Sequence, residues 1–413
     1  MVTALLLGEG ALALQRIPPK TAPCEHPEYW TLDVRSSTRP ILVHYRSPAD
    51  EPVARQVLAF AEEGWAFHVG RLGFREPLGD GGKCGPDGAF DVFLWRGHEE
   101  CFVDECADDA STAWDDHAAF MVVDPWGQYG GQALRETVVH EMAHACQAVD
   151  DWNESPILFE MSAVFTDEVF ADSYVETYLE DFQAHSDWSI DRDDKYRTWY
   201  MYGAALYLHY LRDRWFGGDV AFLQELWHRL RSPAGVGDTY NEPDFEDAID
   251  ALLAEKGASF VESVADFGRW RWFTGKRDDG RHFRHFTHGQ ERLRRAPVLA
   301  RRAVARPGQT VAVVPAPMML GTTYLDLRRA GRGEVCVSLH GAKGARFVVQ
   351  AVPGLDGVTD GETLDLASGP SPLRFASNGR RTVLITATPL GKDDPETRTS
   401  RRYAARLKFS ACR

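Results

Sequence analysis

The stretch VVHEMAHACQ, residues 138–147, places two histidines four positions apart, with a glutamate directly after the first. It lies in a segment, 132–149, whose apolar residues recur at helical spacing, so we expect a helix. Residues four apart on a helix differ by about 40° around its axis, so His140 and His144 project from one face. Two imidazoles placed in this way can bind one metal ion.

The residue types fit a catalytic zinc ion. Zinc binds neutral histidine nitrogens, and a catalytic zinc keeps three protein ligands with a water in the fourth position. Glu141 follows the first histidine, where it can accept a proton from that water while the metal lowers the water's pKa. The pattern HExxH therefore predicts metal-assisted hydrolysis, with His140 and His144 as metal ligands and Glu141 as general base. The alternative is a helix with two surface histidines.

A second helix is predicted to supply the third ligand. Ser155 fits an N-cap and Pro156 fits the first helical position, so a helix should run on to residue 170. Glu160 would lie in the second turn of this helix, among apolar neighbours such as Phe159 and Met161. A carboxylate in such surroundings needs a partner, and a metal ion is one.

Asp150 is the alternative third ligand. Its spacing from His144 equals that in metzincin-like peptidases with the pattern HExxHxxGxxD. Those enzymes need a glycine where this chain has Gln147, because the helix stops there and the backbone turns sharply. The sequence therefore favours Glu160 and leaves Asp150 open.

Together with LFEMSAVF at 158–165, the opening motif resembles the gluzincins, the HExxH…E class of zinc peptidases. The resemblance is tight only around these two motifs. It implies Zn2+ bound by His140, His144 and Glu160, Glu141 as the catalytic base, and a peptide or protein as substrate. Two other functions stay open, namely a binding or adhesion protein with a structural zinc and a zinc amidohydrolase with a non-peptide substrate.

The resemblance extends to two further residues and fails at one position. Gluzincins often place a tyrosine before a glycine on a later helix, as donor to the oxyanion, which implies a catalytic role for Tyr202, with Tyr200 as alternate. The carboxylate that often follows the ligand glutamate by three or four residues is absent, since Ala163 and Val164 stand there. Asp167 remains as a candidate to support a ligand histidine.

The periodicity along the rest of the chain gives the fold class, α+β. Strand-like and helical runs alternate before residue 152, helical runs alone follow, and short alternating runs typical of a β-sandwich come last. The predicted strands are 41–46, 90–95, 118–124, 310–316, 322–329, 333–341, 345–352, 373–377, 381–389 and 402–410. The predicted helices are 51–73, 132–149, 156–170, 197–216, 219–231, 245–257 and 260–273. By analogy, strand 118–124 is the edge strand that pairs with an extended substrate.

These elements predict three parts. An N-terminal segment comes first, then a zincin-like metallopeptidase domain with a mixed αβ and an all-α subdomain, and then a β-sandwich. Their bounds are 1–40, 41–295 (divided into 41–152 and 153–295) and 296–413. The basic connector 276–306 carries His282, His285 and His288, which we expect to be solvated rather than metal-bound. The Asp-rich stretches 104–116 and 191–194 are expected to be solvated loops.

Charge and cysteine content narrow the class of protein. The net charge of −15 argues against a general nucleic-acid binder, because phosphate binding rests on clustered Lys and Arg. No apolar run is long enough for a transmembrane helix. Residues 1–15 fit either a remnant signal peptide or a plain start. Seven cysteines favour a secreted or extracellular protein, with a cytoplasmic location left open. We predict a disulfide between Cys336 and Cys412 and a free, buried Cys146. The oligomeric state stays open.

Overall fold

A computed structural model describes most of the chain, and over these residues the protein has a mixed α+β fold with three β-sheets. The described residues are 23–98, 101–108, 112–127, 131–172, 176–193, 197–233, 242–285, 300–329, 335–353, 363–365, 373–375, 380–391 and 401–411. The chain forms two compact units. The first unit comprises Met1–Thr112 and Asp116–Val149, and the second comprises Ala113–Asp115 and Asp150–Arg413.

The first unit is a five-stranded sheet with two helices. Its strands are β1 (Leu32–Arg35), β2 (Ile41–Tyr45), β3 (Phe90–Leu94), β4 (Phe102–Asp108) and β5 (His117–Val123), and its helices are α1 (Glu51–Trp65) and α2 (Gln132–Gln147). The strand order is β1-β2-β3-β5-β4. The pairs β2–β3 and β3–β5 are parallel, and both edge strands are antiparallel to their neighbours. The three predicted strands and both predicted helices of this region are confirmed.

The position of β5 corrects the prediction of an edge strand. β5 pairs with β3 on one side and with β4 on the other, and every residue in it is buried. A continuous apolar run such as AAFMVV is typical of a strand covered on both faces. The edge strand is β4, which lies in a stretch predicted to be an Asp-rich loop.

The helical segment that begins with α1 ends at a glycine, Gly73. Most of its apolar residues, such as Val57, Leu58 and Trp65, are buried, and the helical path continues through a wider π turn at Ala66–Leu72. Gly73 then adopts φ 83°, the left-handed conformation that glycine adopts without strain at a helix C-terminus. The predicted helix 51–73 is therefore confirmed in extent.

The described part of the second unit begins with helices. They are α3 (Pro156–Ala171), α4 (Glu176–Ala184), α5 (Tyr200–Gly203), α6 (Ala205–Arg214), α7 (Phe222–Arg229), α8 (Phe245–Ala254) and α9 (Phe260–Trp272). The predicted helix 197–216 is divided into α5 and α6, and α4 was not predicted. Within the described residues, helices are the only regular elements between α3 and residue 285 apart from a short 3-10 turn.

Two sheets complete the second unit. Their strands are β6 (Arg301–Ala305), β7 (Thr310–Ala312), β8 (Thr322–Arg329), β9 (Val335–Gly341), β10 (Arg346–Pro353), β11 (Thr363–Asp365), β12 (Leu373–Phe375), β13 (Arg380–Thr388) and β14 (Ala405–Ala411). The strand orders are β11-β10-β13-β8-β6 and β12-β9-β14-β7. Buried apolar side chains from both sheets, such as Ile385 and Leu407, belong to one core cluster.

Disulfides are present. Cys24 is bonded to Cys84 in the first unit. Cys336 is also disulfide-bonded, and because Cys412 lies outside the described residues, the predicted pairing of these two stays a prediction. Cys146 is a free, buried thiol, as predicted.

The described part of the connector after α9, residues 276–285, is not fully solvated. His282 is buried, stacks on Phe273 and pairs with Asp279 at 2.9 Å, so the expectation that it is solvated is wrong. His285 pairs with Asp213, and His288 lies outside the described residues. No helix in the described ranges combines the length and the apolar character needed to cross a membrane.

Candidate metal centre

The packing of α2 fixes where its two histidines lie. α2 packs against α1 and β5. The two helices come close at Gly64 of α1, where an added Cβ would lie 3.1 Å from the Cβ of Met142 and 3.5 Å from the Cα of Val139. Helices that approach so closely need a small residue at the crossing. Gly64 therefore sets the depth at which the HExxH helix lies in the first unit.

The C-terminal end of α2 is satisfied by neighbouring groups. The backbone N–H of His117 donates to the carbonyl of Ala148 at 2.9 Å, and the guanidinium of Arg75 donates to the carbonyl of Val149 at 2.7 Å. A cation at this end also interacts favourably with the helix dipole. The helix is therefore fixed at both its middle and its end.

The two histidine side chains converge. The Nε2 atoms of His140 and His144 lie 3.2 Å apart, and the ring planes are almost perpendicular, at 89°. His144 Nδ1 donates to Oε1 of Gln147 at 2.8 Å. Because the amide oxygen is an acceptor, Nδ1 carries the proton of the neutral ring. The lone pair of His144 Nε2 is therefore directed toward His140 Nε2.

This geometry fits a zinc ion. Two nitrogens about 2.05 Å from a tetrahedral zinc lie about 3.3 Å apart, which matches the separation of the two Nε2 atoms. Second partners of ligand histidines are typically carboxylates, carbonyls or waters, and the side-chain amide oxygen of Gln147 provides the same acceptor function. Gln147 is fully buried, so this hydrogen bond is shielded from solvent. The donor set therefore fits the metal that the sequence predicts.

Glu141 lies on α2 beside these rings and is only 6% exposed. The charge of Glu141 also acts on a nearby thiol, that of Cys101. The pKa of the half-buried Cys101 is raised to about 12, chiefly by burial and also by the charges of Glu141 and Asp124, although a hydrogen bond with the backbone of Asp124 lowers it. Cys101 is therefore a neutral thiol at neutral pH.

His68 is a neighbour of the site that sequence analysis missed. It is fully buried, and its Nδ1 donates to the carbonyl of Gly64 at 2.9 Å. The pKa of His68 is lowered to about 3, chiefly by burial and also by the neighbouring His140 and His144, although the hydrogen bond to Gly64 raises it. His68 is therefore neutral at physiological pH. In the sequence it looks like any core histidine, because its neighbours, in AFHVG, are apolar.

The third predicted ligand, Glu160, lies on α3. This helix begins as predicted, with Ser155 at the N-cap and Pro156 in the first turn. Glu160 is 8% exposed and its helix neighbours are buried and apolar. His140, His144 and Glu160 form a group of side chains that could hold a metal ion, with one ligand atom of each within 4.8 Å of the others.

Asp150, the alternative ligand, makes other contacts. It is fully buried, and its Oδ1 lies 3.8 Å from His228 Nδ1 and 4.0 Å from Arg231 Nε. α2 does end at Gln147 without a glycine, since Ala148 keeps helical dihedrals and its N–H bonds to the carbonyl of His144. Among the described residues, Asp150 is not grouped with the two histidines.

The two candidate oxyanion donors differ in environment. The hydroxyl of Tyr200 is buried and donates to the carbonyl of Ser189 at 2.8 Å, and burial raises its pKa. Tyr202 is half-buried and lies against the rings of Tyr178 and Trp199. Of the two, Tyr202 is the one with solvent-accessible surface. Its catalytic role, like the support of a histidine by the half-buried Asp167, stays a prediction.

Comparison with models of known protein families finds no match for this chain, and comparison with curated proteins finds no relative. The function is therefore argued from the chemistry of the site.

Proposed function

We propose that this protein is a zinc-dependent peptidase of the gluzincin type. The observation that supports the proposal best is the 3.2 Å separation of the two Nε2 atoms, with the tautomer of His144 fixed by Gln147. His140, His144 and Glu160 would hold the metal. When bound, zinc polarises the scissile carbonyl and lowers the pKa of a bound water.

The residues of this chain then move one proton. Glu141 accepts a proton from the attacking water as the oxygen of that water bonds to the carbonyl carbon. Tyr202 donates a hydrogen bond to the carbonyl oxygen, on which negative charge develops. Glu141 passes the proton to the amide nitrogen as the C–N bond breaks, which yields a free amine and a carboxylic acid. The carboxylate of Glu141 is restored in its starting form.

The architecture agrees with this proposal at a coarse level. We infer that the first unit and the helices of the second form a zincin-like domain, and that the two C-terminal sheets form a β-sandwich, since they share one core cluster. The disulfide between Cys24 and Cys84 supports a location outside the cytoplasm. A peptide or protein substrate follows from the resemblance to gluzincins.

The proposal is tested with Glu141→Gln. This variant keeps all three metal ligands and loses the base, so we expect one bound zinc and a fall in casein hydrolysis of about 1000-fold. Glu136→Gln is the matched control, because Glu136 lies on the same helix and its side chain accepts a hydrogen bond from Gln132 at 2.8 Å. Zinc is measured by elemental analysis after dialysis. Full hydrolysis by Glu141→Gln would exclude the proposed mechanism, and zinc without hydrolysis in the wild type would favour a structural metal.

The third ligand needs its own experiment. We expect Glu160→Ala to lower zinc affinity at least about 100-fold, because removal of one of three ligands leaves only two imidazoles. Asp150→Asn is the comparison and should keep zinc, since the amide preserves the volume beside His228 and Arg231. If Asp150→Asn loses zinc while Glu160→Ala keeps it, the metzincin-like alternative takes the place of the gluzincin proposal.

A further inference from the structure

A second acidic site lies in the first unit, in the loop GDGGKCGPDGAFD at 79–91 that leads into β3. Asp80 and Asp91 both lie in it and are buried, at 6% and 1% exposure. One carboxylate oxygen of each lies within 4.8 Å of the other and of the sulfur of Cys84. Cys84 is bonded to Cys24, so its sulfur is not a thiolate. The two carboxylates are therefore the charged members of this group.

The side chain of Asp91 is satisfied at one oxygen only. Its Oδ1 lies 2.5 Å from Nε2 of His44, whose ring stacks on Phe93. Its Oδ2 is buried and has no hydrogen-bond partner within the described residues. A buried carboxylate oxygen is unfavourable unless a donor or a cation satisfies it. The contact with His44 leaves Oδ2 as the oxygen that still needs a donor or a cation.

The backbone of the loop is shaped around these carboxylates. Asp80 accepts hydrogen bonds from the backbone N–H groups of Gly82, at 2.8 Å, and of Cys84. Gly82 has φ 84°, a conformation that other residues adopt only with strain. A Cβ on Gly85 would lie 2.5 Å from Oδ1 of Asp91, so this position excludes every side chain. The loop therefore brings its own backbone directly against the acid pair.

We propose that Asp80 and Asp91 bind a calcium ion, with water completing its oxygen ligands. Calcium takes oxygen ligands in flexible geometry, from carboxylates and backbone carbonyls. Zinc is a poor fit, because the sulfur in the group is in a disulfide and the nearby histidine nitrogen is bonded to Asp91. The ion would connect the loop to Asp91, the second residue of β3, which is the central strand of the five-stranded sheet. This proposed calcium site does not depend on the proposed peptidase activity.

The experiment uses the full chain, freed of metals and reloaded with one equivalent of zinc, so that added calcium meets an occupied histidine site. Calorimetric titration with CaCl2 should show one site with a Kd between about 10 µM and 1 mM. Terbium, a luminescent substitute for calcium, should bind at the same site. Its emission should be sensitised by Trp30, which belongs to the same buried cluster as Cys84 and Phe93.

Variants locate the site. Asp91→Asn keeps an acceptor for His44 and should weaken calcium binding at least about 10-fold, as should Asp80→Asn. Asp87→Asn is the control in the same loop, because Asp87 is half-exposed and pairs with Arg35, and its Kd should stay within about twofold of the wild type. The proposal is overturned if the wild type takes up no calcium at 10 mM, a concentration set about 10-fold above the weakest expected Kd. It is equally overturned if both Asp80→Asn and Asp91→Asn bind as tightly as the wild type. If Asp91→Asn does not fold, the calcium affinity of Asp80→Asn and the loss of sensitised terbium emission in Trp30→Phe test the location of the site.

Discussion

Gln147 determines which nitrogen of His144 carries the proton of the neutral ring. Its buried amide oxygen accepts a hydrogen bond from the N–H at Nδ1, so the lone pair is at Nε2. We predict that Gln147→Met, which keeps the volume and removes the acceptor, lowers zinc affinity about 10- to 100-fold. Gln147→Glu keeps an acceptor and should stay close to the wild type. Competition with a chromogenic chelator measures both, and an unchanged affinity in Gln147→Met would show that the hydrogen bond does not orient the ring.

His68 makes the stability of the metal-free protein depend on pH. Its pKa is about 3 in the folded protein, against an unperturbed 6.5, because it is buried. A lowered folded pKa gives stability that is present above pH 6.5 and is lost as the pH falls toward 3. At pH 5 the loss from this one group is about 2 kcal/mol. Urea unfolding of the metal-free chain at pH 7 and pH 5 should show a loss smaller by this amount in His68→Gln, and equal losses would contradict the assignment.

Residues of the site differ in how far the sequence reveals them. His140, Glu141 and His144 are encoded by local spacing on one helix, so their arrangement follows from helix geometry alone. Gln147 follows the same rule, at three positions from His144, but its role depends on which way the ring turns. His68 belongs to another part of the chain and reaches the site only because Gly64 lets α1 approach α2. No local pattern marks such a residue.

At the scale of elements, close packing explains why a glycine follows Tyr202 in the sequence. A Cβ at this position would lie 2.2 Å from the carbonyl oxygen of Tyr178 and 2.5 Å from the Cβ of Phe182, both on α4. We predict that Gly203→Ala destabilises the protein by about 3 kcal/mol, because a backbone carbonyl has to move. Gly70→Ala is the control, since nothing lies within 4 Å of an added Cβ there. Thermal unfolding compares them, and equal stability of the two variants would contradict the close packing of α4 and α5.

The strands show where sequence reasoning about elements stops. A continuous apolar run such as that of β5 is readily found, because strands covered on both faces leave a strong signal. The edge strand β4, FVDECAD, carries three acidic residues and looks like a loop. Its backbone hydrogen bonds to β5 form in spite of its composition. The sequence therefore predicts the centre of the sheet and misses its edge. The prediction that β5 lies at the edge is wrong for this reason.

At the scale of the whole molecule, the C-terminal strands are packed onto the helices of the second unit. The hydroxyl of Tyr324 on β8 donates to the carbonyl of Gly268 on α9, and its ring stacks on Trp272. A Cβ on Gly268 would lie 2.7 Å from Oγ1 of Thr322, so the helix touches the strand directly. Sequence analysis separates these segments at residue 296 by a change of periodicity, which says nothing about such packing. The domain boundary stays a prediction, whereas the contact is part of the structure.

This packing predicts that α9 and the C-terminal sheets lose structure together. Leu384 on β13 is fully buried in a cluster with Trp272, Phe273, Tyr324 and Val352. Leu384→Ala leaves a cavity there and should destabilise the protein by about 3 kcal/mol. If strands and helix unfold as one unit, the amides of α9 should exchange with solvent about 100-fold faster in the variant, although the substitution lies on a strand.

The matched control is Val304→Ala on β6, because that side chain is 40% exposed and its truncation leaves no buried cavity. Hydrogen exchange read by mass spectrometry resolves peptides from α9 and from β13 in the same sample. Faster exchange in β13 with unchanged exchange in α9 would mean that the helices hold their fold without the strands. Faster exchange in both would mean that the C-terminal region stabilises the helix it covers, since a cavity on one side of the cluster removes packing from every residue that lines it.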